Sequence, residues 1–381
     1  MRIGIDAYPL AKDIKAGISY YSYYIIKNIL EADSKNEYFL YNSSGKAGNL
    51  DYPNLKVTST FKVNPLNKFS TLWMLYFAKK QLIKDNIDIF WGIQGIIPLN
   101  LPDSIKTVST IYDLTFFLFP ATMSLDNYFV NKFFLKKAVR KVDRIFAISK
   151  STANDVKKIF RGNIEEKMSA IHIGYNECQD VFGKIDKIEA GRYVVDKLGI
   201  SDKYILFVGT IEPRKNIIGL LRAFKIIKSK YKLNHQLVIA GGKGWKVSNI
   251  FKVYKNLSFG ENEVKFLGYV DEEALAMLYS GADLFVNPSF YEGFGMPSLE
   301  AMACGAPVVA SDIPVFREVL GDAAYFTDSR NPESLAKAMQ VVLTSGELRG
   351  SLCGKGKLRY QQFSWKESAK KILSIFESLK G

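Results

Sequence analysis

The stretch Asn287–Gly305, NPSFYEGFGMPSLEAMACG, carries the most information about the fold of this chain. It follows a predicted buried strand, Ala282–Val286, and it continues as a helix that opens at Pro297, because proline suits the first helical turn. The preceding Gly293 and Gly295 allow the backbone to approach a ligand closely. Since a helix N-terminus at the carboxyl end of a sheet binds anions, the stretch predicts an anion site.

Two carboxylates accompany this predicted site. Glu292 lies in the loop, and Glu300, eight positions on, lies one turn into the helix. Carboxylates so placed can each bind a pair of adjacent hydroxyls, one on each side of a phosphate held at the helix start. In the alternative interpretation, Glu300 only complements the helix dipole or caps the helix, and the glycines only make a turn.

A second informative stretch is Val208–Asn216, VGTIEPRKN, which directly follows the apolar run Tyr204–Val208. Its adjacent cations, Arg214 and Lys215, would lie after a strand and before a helix, where a polyphosphate needs them. Arginine offers a planar fork of donors and lysine a point charge. Taken alone, the pair is equally well explained as two solvated loop cations, but a sheet edge shared with the anion site favours phosphate binding.

Short apolar runs alternate with longer amphipathic segments along the chain. The first series runs from Arg2–Ile5 to Arg144–Ile148, and the same alternation restarts after Asp202. Strands without polar alternation, separated by helices, indicate parallel strands that are buried on both faces. The predicted fold class is therefore α/β, with two doubly wound Rossmann-like domains.

The two series define the predicted domains. We expect an N-terminal, acceptor-binding domain over residues 1–185 and a C-terminal, donor-binding domain over residues 195–362. The polar segment from Gln179 to Ile200 is predicted to be the linker between them. A terminal helix at about residues 366–381 is predicted to pack back on the first domain.

Three motifs together resemble a known family. The patterns G-T-x-E-P-R-K-N, A-G-G-x-G and N-P-S-x-x-E-G-F-G-M-P-x-L-E-A-M-A-x-G-x-P-V stand at Gly209–Asn216, Ala240–Gly244 and Asn287–Val308. Their order is similar to that of the retaining glycosyltransferases of family 4, and bacterial mannosyltransferases of surface polysaccharide assembly are the most similar. The similarity extends over essentially the whole chain. It implies the GT-B fold, in which the two domains face each other across a cleft.

The resemblance also implies roles for individual residues. Arg214 and Lys215 would bind the diphosphate of a nucleotide sugar and offset the charge that develops on the leaving group. Glu292 would hold the hydroxyls of the donor sugar, so that these three residues are the candidate catalytic residues, and Glu300 would bind the ribose. The remaining donor-binding candidates are Gly209, Phe294, Gly295, Met296 and Pro297, the base-binding Tyr269 and Val270, and, from the first domain, Gly17, Tyr112 and Asp113.

The resemblance implies a mechanism without metal or cofactor. The sequence contains no D-x-D, which counts against the metal-dependent, single-domain type of glycosyltransferase. Because one of the two carboxylates is assigned to the ribose, no enzymatic nucleophile of the glycosidase kind is left. We therefore favour front-face attack with retention at the anomeric carbon, through an oxocarbenium-like state in which the leaving phosphate helps to deprotonate the acceptor.

One position departs from the family pattern. The family often carries a His-Asp pair after a first-domain strand, whereas the matching segment Thr110–Leu114 reads TIYDL, with Tyr112 in place of the histidine. A tyrosine can stack and form hydrogen bonds, but at its ordinary pKa of about 10 it would not act as a base near neutral pH. The two histidines, His172 and His235, lie outside the motifs and are interpreted as structural.

Charge and cysteine content limit the partners. The 381 residues include 52 Lys and Arg against 38 Asp and Glu, a formal charge of +14, and each half of the chain carries 26 basic and 19 acidic side chains. Since the charge is evenly divided and recognition signatures are missing, no nucleic-acid partner is expected. Three cysteines without a CxxC spacing exclude a zinc cluster and a disulfide framework. The N-terminus lacks a signal-peptide pattern, so we expect a cytoplasmic location.

Two stripes of basic and aromatic residues occur in the first half, at residues 61–84 and 128–146. In the second stripe the cations lie opposite a row of apolar side chains at helical spacing, which is typical of a surface helix with a solvated charged face. The alternative hypothesis is docking on an anionic membrane, where each basic residue contributes about 1 kcal/mol. It would place the protein peripherally on the inner face of the cytoplasmic membrane, near a lipid-linked acceptor.

The predicted function is transfer of a hexose from a nucleotide sugar, first of all mannose from GDP-mannose, to a saccharide or lipid-linked saccharide acceptor. A UDP- or dTDP-sugar is the alternative donor. From other classes, a non-catalytic nucleotide-sugar or nucleic-acid binding protein, an epimerase and a phosphorylase are alternatives. A phosphorylase of the lysine-cofactor type would need a longer chain, and an epimerase would not need the spacing of Glu292 and Glu300.

Overall fold

The chain folds into two α/β units. The structure is a computed structural model that describes residues 1–11, 17–60, 70–98, 100–122, 125–160, 162, 164–172, 174, 182–183 and 185–380, without the side chains of residues 70, 75 and 125–131. We call Met1–Phe117, Asp126–Gly174 and Ser364–Gly381 the first unit, and Leu118–Leu125 with Tyr175–Phe363 the second unit.

A parallel sheet forms the centre of the first unit. Its strands are β1 (Arg2–Asp6), β2 (Glu37–Asn42), β3 (Leu55–Ser59), β4 (Ile89–Gly92), β5 (Lys106–Ile111), β6 (Arg144–Ala147) and β7 (Met168–Ala170). All seven are parallel, in the order β3-β2-β1-β4-β5-β6-β7. The central strands are apolar because helices cover both faces of the sheet: Ile3, Ile5 and Phe90 are fully buried.

The helices of the first half of the chain connect these strands. They are α1 (Ile18–Ala32), α2 (Ser70–Tyr76), α3 (Ala78–Lys84), α4 (Thr115–Leu118), α5 (Leu125–Lys141) and α6 (Lys150–Ile159). Helix α5 buries Leu135, Ala138 and Val139 and exposes Lys136 and Lys137, so the predicted surface helix in the second stripe is present. In the first stripe, residues 61–69 lie outside the described residues, and Trp73 is buried, stacked 5.3 Å from the ring of Tyr41.

The second unit repeats the architecture. Its strands are β8 (Tyr204–Val208), β9 (Gln236–Ala240), β10 (Val264–Gly268), β11 (Leu284–Asn287), β12 (Val308–Ser311) and β13 (Ala324–Thr327). They are all parallel, in the order β10-β9-β8-β11-β12-β13. Its helices are α7 (Lys187–Asp196), α8 (Ile217–Ser229), α9 (Ser248–Asn256), α10 (Glu272–Gly281), α11 (Met296–Ala303), α12 (Pro314–Leu320), α13 (Pro332–Thr344) and α14 (Gly346–Tyr360). The predicted fold class, with two Rossmann-like sheets, is confirmed.

The predicted linker is partly a helix. Within the segment 179–200, helix α7 begins after Asp186, whose side chain accepts hydrogen bonds from the amides of Ile188 and Glu189. It packs on α10 through the buried Ala190 and Val194. Only these two of its side chains are buried, four positions apart, so the helix is too polar to stand out in the sequence.

The last helix returns to the first unit. Helix α15 (Trp365–Lys380) packs along α1, and it buries Trp365, Ala369, Ile372 and Phe376. Trp365 stacks on Tyr24 with ring centroids 5.8 Å apart, and Phe376 meets Trp91 edge-on at 5.8 Å. Residues separated by most of the chain therefore share one core.

The first sheet holds a buried carboxyl group at the end of strand β1. Asp6, the last residue of β1, is fully buried and accepts hydrogen bonds from Gln94 Nε2 at 2.9 and 3.1 Å and from the amide of Tyr8 at 3.3 Å. Burial raises the pKa of Asp6 from 3.8 to about 7, although the hydrogen bond from Gln94 opposes the rise.

The stability of the protein should therefore fall as the Asp6 carboxyl ionises. Since its pKa is higher in the folded than in the unfolded chain, the unfolded chain releases this proton first, and stability is lost as the pH rises through the interval between the two values. Asp6→Asn does not undergo this loss. The free energy of unfolding of the variant, relative to that of the parent, should therefore be about 2–3 kcal/mol higher at pH 8 than at pH 5.

Urea unfolding at the two pH values measures the effect. Asp51→Asn, a substitution at an exposed position, is the matched control and should run parallel to the parent. A constant difference between Asp6→Asn and the parent at both pH values would contradict the assignment of this carboxyl.

Candidate active site at the carboxyl edge of the second sheet

The predicted site residues follow two neighbouring strands. Strands β8 and β11 are adjacent in the second sheet, and the order of the strands reverses between them. Ligands of doubly wound sheets bind outside the carboxyl ends of the strands at this switch point. The loop after β8 carries Arg214 and Lys215 on the short 3₁₀ helix Pro213–Lys215, and the loop after β11 carries Glu292.

Arg214 joins the two loops. Its Nη1 donates to Glu292 Oε2 at 2.8 Å and to the carbonyl of Tyr291 at 2.8 Å, and its Nη2 donates to Glu212 Oε1 at 2.6 Å. The backbone closes the same junction, since the amide of Phe290 donates to the Arg214 carbonyl at 2.9 Å. The guanidinium thus lies between two carboxylates, and the 2% exposed Glu212 is the more deeply buried of them.

Glu292 has two cationic neighbours. Lys215 Nζ donates to Oε1, which also accepts from the Ser289 hydroxyl at 2.8 Å, while Arg214 binds Oε2. Burial alone would raise the pKa of Glu292, but Lys215 and Arg214 outweigh burial and lower it to about 2. For Glu212 burial prevails over the attraction of Arg214, and its pKa is raised. Two cations and two carboxylates thus neutralise one another.

Aromatic packing holds the loop that carries Glu292. The ring of Tyr291 stacks on Phe119, with centroids 5.4 Å apart, and the buried Phe294 meets Phe363 edge-on at 5.5 Å. Phe119 belongs to the segment Leu118–Leu125, which is part of the second unit although it precedes α5 in sequence. The side chain of Phe294 is therefore buried in the packing beneath this loop.

Helix α11 starts directly after this loop. Gly295 precedes it with φ 97° and ψ 43°, and a Cβ atom at this position would lie 2.5 Å from the ring of Phe316, so both conformation and packing require glycine. Met296 and Pro297 form the first turn, where the amide of Ser298 bonds the Gly295 carbonyl at 3.0 Å. The sequence-based prediction of a proline-led helix start is confirmed.

Glu300 lies in an environment opposite to that of Glu292. Glu300 is a buried residue of α11, and its Oε2 accepts a hydrogen bond from the Tyr279 hydroxyl at 2.7 Å. Burial raises the pKa of Glu300 to about 7; the hydrogen bond from Tyr279 lowers it in part, and the charge of Glu272 adds to the rise. No ion pair among the described residues includes Glu300.

Three further donor-binding candidates follow strands of the same sheet. Gly209 directly follows β8, and its amide donates to the carbonyl of Ala240 at 2.9 Å. Tyr269 and Val270 follow the edge strand β10, and the Tyr269 side chain is 60% exposed. An exposed aromatic ring at a carboxyl edge suits stacking against a base, as expected for the base-binding position, and the role stays a prediction.

The remaining candidates belong to the first unit. Gly17 precedes α1 with φ 54° and ψ −115°, a conformation that requires glycine, and a Cβ there would meet no atom within 4 Å. Tyr112 follows β5 and packs edge-on against Tyr21 at 5.3 Å; burial raises its pKa well above 10. Asp113 accepts a hydrogen bond from the amide of Thr115 at 2.9 Å, which starts the short helix α4. Tyr112 is thus even less suited to act as a base than its ordinary pKa implies.

Sequence reasoning missed four residues that support the site. Glu212 and Ser289 bind the catalytic candidates directly, and Tyr279 binds Glu300. Asn287 Oδ1 lies 2.8 Å from the same Ser289 hydroxyl, and its side-chain amide donates to Ser298 at 3.0 Å. Three of them stand inside the quoted motifs, so their positions were visible in the sequence but their partners were not. Tyr279 stands outside every motif, and only the packing of α10 on α11 reveals it.

The other titratable side chains lie elsewhere. His235 precedes β9 at the amino end of the sheet, and its Nε2 lies 3.6 Å from Asp283 Oδ2, consistent with a structural role. Cys304 and Cys353 are free thiols, and Cys178 lies outside the described residues. Within the described ranges, no group of three His, Cys, Asp or Glu side chains is placed to hold a metal ion.

Comparison with known proteins identifies a matching family and several similar proteins. Residues 195–359 match the family described as "Glycosyl transferases group 1". O-antigen chain mannosyltransferase RfbU of Salmonella typhimurium is 30% identical over 295 residues, 76% of this chain and 75% of that protein. O-antigen chain mannosyltransferase B of Escherichia coli is 36% identical over 176 residues, 46% of each chain. The match covers less than half the length of mannosyltransferase B and of the other Escherichia coli mannosyltransferases that are similar to this chain.

A solved structure has the same fold. Sucrose-phosphate synthase from Thermosynechococcus elongatus matches with a TM-score of 0.76 and 18% sequence identity, over 99% of this chain and 98% of that one. At this level of identity, the similarity concerns the fold alone.

The balance of charges at the switch point generates a prediction. Glu292→Gln leaves Arg214 and Lys215 facing a single carboxylate, Glu212, so the variant should bind inorganic pyrophosphate about tenfold more tightly than the parent. Titration calorimetry measures the affinity. Glu263→Gln, which removes the partner of Lys228 at the opposite edge of the sheet, is the matched control. Equal or weaker binding by Glu292→Gln would show that the two cations are not the anion site.

Proposed function

The chain belongs to the group 1 glycosyl transferases, and we propose that it transfers mannose from GDP-mannose to a saccharide or lipid-linked saccharide acceptor in surface polysaccharide assembly. Transfer retains the configuration at the anomeric carbon and needs no metal. The observation that carries the proposal is the pair of cations Arg214 and Lys215, held with the ionised Glu292 at the switch point of the second sheet.

The ion pairs of the free protein become ligand contacts in this proposal. The donor diphosphate replaces Glu292 as the partner of Lys215 and of one arm of Arg214, while Glu212 keeps the other arm in place. Glu292, freed from its cations, accepts hydrogen bonds from the hydroxyls of the donor sugar. Because the cations already lie where the leaving group gains charge, little reorganisation accompanies the reaction.

The chemistry then follows from positioning. The bond between the anomeric carbon and the diphosphate breaks as charge moves to the phosphate, and Arg214 and Lys215 stabilise that charge. The acceptor hydroxyl attacks from the same face and passes its proton to the departing phosphate. Glu292 is engaged with sugar hydroxyls, and Tyr112 holds its proton too tightly to act as a base, so no side chain takes the role of nucleophile or base in this proposal.

The choice of mannose rests on relatives. RfbU and mannosyltransferase B are both O-antigen chain mannosyltransferases, and RfbU is matched over three quarters of its length. A UDP- or dTDP-sugar is the alternative donor, and it would use the same diphosphate contacts with a different base and, in dTDP, without the 2′-hydroxyl.

A panel of donors tests the proposal. Thermal unfolding with GDP, UDP and dTDP should show the largest stabilisation by GDP, because a ligand that binds only the folded state raises stability with its concentration over Kd. Transfer from GDP-mannose, with and without EDTA, should proceed at equal rates and give an α-linked product by NMR. Preference for another nucleotide would reassign the donor; no stabilisation by any of the three would overturn the function.

Arg214→Lys tests the role of the guanidinium. The variant keeps the charge but cannot bind Glu212 and a phosphate at once, so kcat/KM for the donor should fall about 10²- to 10³-fold. Arg317→Lys is the matched control, since Arg317 makes a two-pronged ion pair with Asp312 on the exposed surface. Unchanged turnover in Arg214→Lys, in a protein with the parent's melting temperature, would refute the assigned role.

We further propose that helix α5 attaches the protein to the anionic inner face of the cytoplasmic membrane. Its exposed face carries Lys136, Lys137 and Arg140 beside Phe133, whose ring is 52% exposed and lies 4.2 Å below Lys137 Nζ. A large aromatic ring among cations suits an interface that is apolar on one side and anionic on the other. None of the described helices is long and apolar enough to cross a bilayer.

Flotation with vesicles tests the attachment. At physiological salt, the parent should float with vesicles rich in phosphatidylglycerol, and Lys136→Glu combined with Arg140→Glu should lower the bound fraction several-fold. The double variant Lys252→Glu/Lys255→Glu, with the same change of charge on the exposed face of α9, should float like the parent. An equal loss of the bound fraction in both double variants would show that net charge, and not helix α5, causes the binding. If the parent does not float with the vesicles, the proposed attachment is wrong.

A further inference from the structure

The buried contact between Tyr279 and Glu300 has no role in the reaction described above. Tyr279 lies on α10 and Glu300 on α11, and the Tyr279 hydroxyl donates to Glu300 Oε2 at 2.7 Å. Tyr279 is fully buried and Glu300 nearly so. A carboxyl group can rotate about its terminal bond unless a partner holds it, and here one oxygen is held from inside the protein.

The core fixes the donor of this hydrogen bond. The Tyr279 ring packs edge-on between Phe285 of β11, at 5.5 Å, and Phe182, at 6.2 Å. A ring enclosed in this way cannot swing to another acceptor, so its hydroxyl occupies one position. The packing of Tyr279 in the core thereby fixes the position of the Glu300 carboxyl oxygen that it binds.

No cation is among the described groups that influence the ionisation of Glu300. The groups that influence its ionisation are Tyr279 and Glu272 of α10, and Cys304 at the end of its own helix lies close enough to respond to its charge. None of them is a cation, whereas Glu292 has two cationic partners. An ionised Glu300 is therefore costly in the free protein, and hydroxyl groups that donate to it would offset the cost.

We propose that Tyr279 is a positioning residue that holds the Glu300 carboxyl by one oxygen, so that the other accepts hydrogen bonds from the adjacent ribose hydroxyls of the donor nucleotide. The inference rests on the proposed function. Because hydroxyl donors favour the ionised carboxyl, nucleotide binding is accompanied by release of the Glu300 proton below about pH 7. Above that pH the carboxyl is already ionised, and the release disappears.

Tyr279→Phe removes only the hydroxyl and provides the test. Affinities for GDP and for 2′,3′-dideoxy-GDP are measured by calorimetry with parent and variant. If Tyr279 acts through the ribose contact, the substitution should weaken GDP binding about fivefold and leave dideoxy-GDP binding unchanged. KM for GDP-mannose should rise by a similar factor with little change in kcat.

Tyr204→Phe is the matched control. Tyr204 is also fully buried in the second unit, and its hydroxyl donates to the carbonyl of Leu278 at 2.6 Å without contacting Glu300. The control should lose stability but discriminate between the two nucleotides as the parent does. Equal weakening of both nucleotides by Tyr279→Phe, or no weakening of either, would overturn the inference while the proposed function stands. Failure of GDP to bind the parent would overturn the GDP assignment and this inference together.

Proton release gives a second readout on the parent itself. Calorimetry in buffers of different ionisation enthalpy counts the protons, and the difference between GDP and dideoxy-GDP cancels the titration of the phosphates. The difference should approach one proton at pH 6 and vanish above pH 8. Since the Tyr279 hydrogen bond lowers the pKa of Glu300, Tyr279→Phe should extend the release to higher pH. No difference between the nucleotides at pH 6 would overturn the inference.

Discussion

The second unit depends on the mutual neutralisation of buried charges where β8 and β11 end. Arg214 and Lys215 lie against Glu212 and Glu292, and each of the four would be costly to bury alone. The cluster also connects two loops that are distant in sequence, so the anion site and the loop leading into α11 hold their shape together. A ligand that brings negative charge exchanges one partner for another and leaves the scaffold in place. Ligand binding then exchanges ion-pair partners and needs no refolding of the loops.

The two carboxylates singled out in the sequence have opposite electrostatic character. Cations hold Glu292 ionised far below neutral pH, while burial without a cation leaves Glu300 close to the point of titration. When their environments shift the pKa values of two similar groups in opposite directions, the two groups can take different roles in one site. In the proposed reaction, Glu292 is a permanent anion beside the sugar, and Glu300 becomes one when the nucleotide arrives.

Much of the fold and the start of helix α11 could be predicted from the sequence, because these features depend on residues close together in the chain. Apolar runs identified the parallel strands, and Pro297 identified the helix start, since each depends on its own neighbours. The contacts that complete the site could not be read in this way. Arg214 meets Glu292, 78 positions further on, only because β8 and β11 are neighbours in the sheet, and Tyr279 meets Glu300 only through the packing of two helices. Helix α7 does not stand out in the sequence because two buried side chains are too few to mark a helix. Trp73 stands in the basic and aromatic stripe of residues 61–84, but its side chain lies in the core of the first unit.

The position of helix α15 has a consequence for the order of events during synthesis. Its apolar residues, Trp365 and Phe376 among them, complete the core of the first unit, yet they follow every residue of the second. On the ribosome, the second unit has its whole sequence available while α1 still lacks the helix that covers it. The unit that is translated first is thus completed last, and until then a nascent chain exposes an aromatic-rich surface that chaperones can recognise.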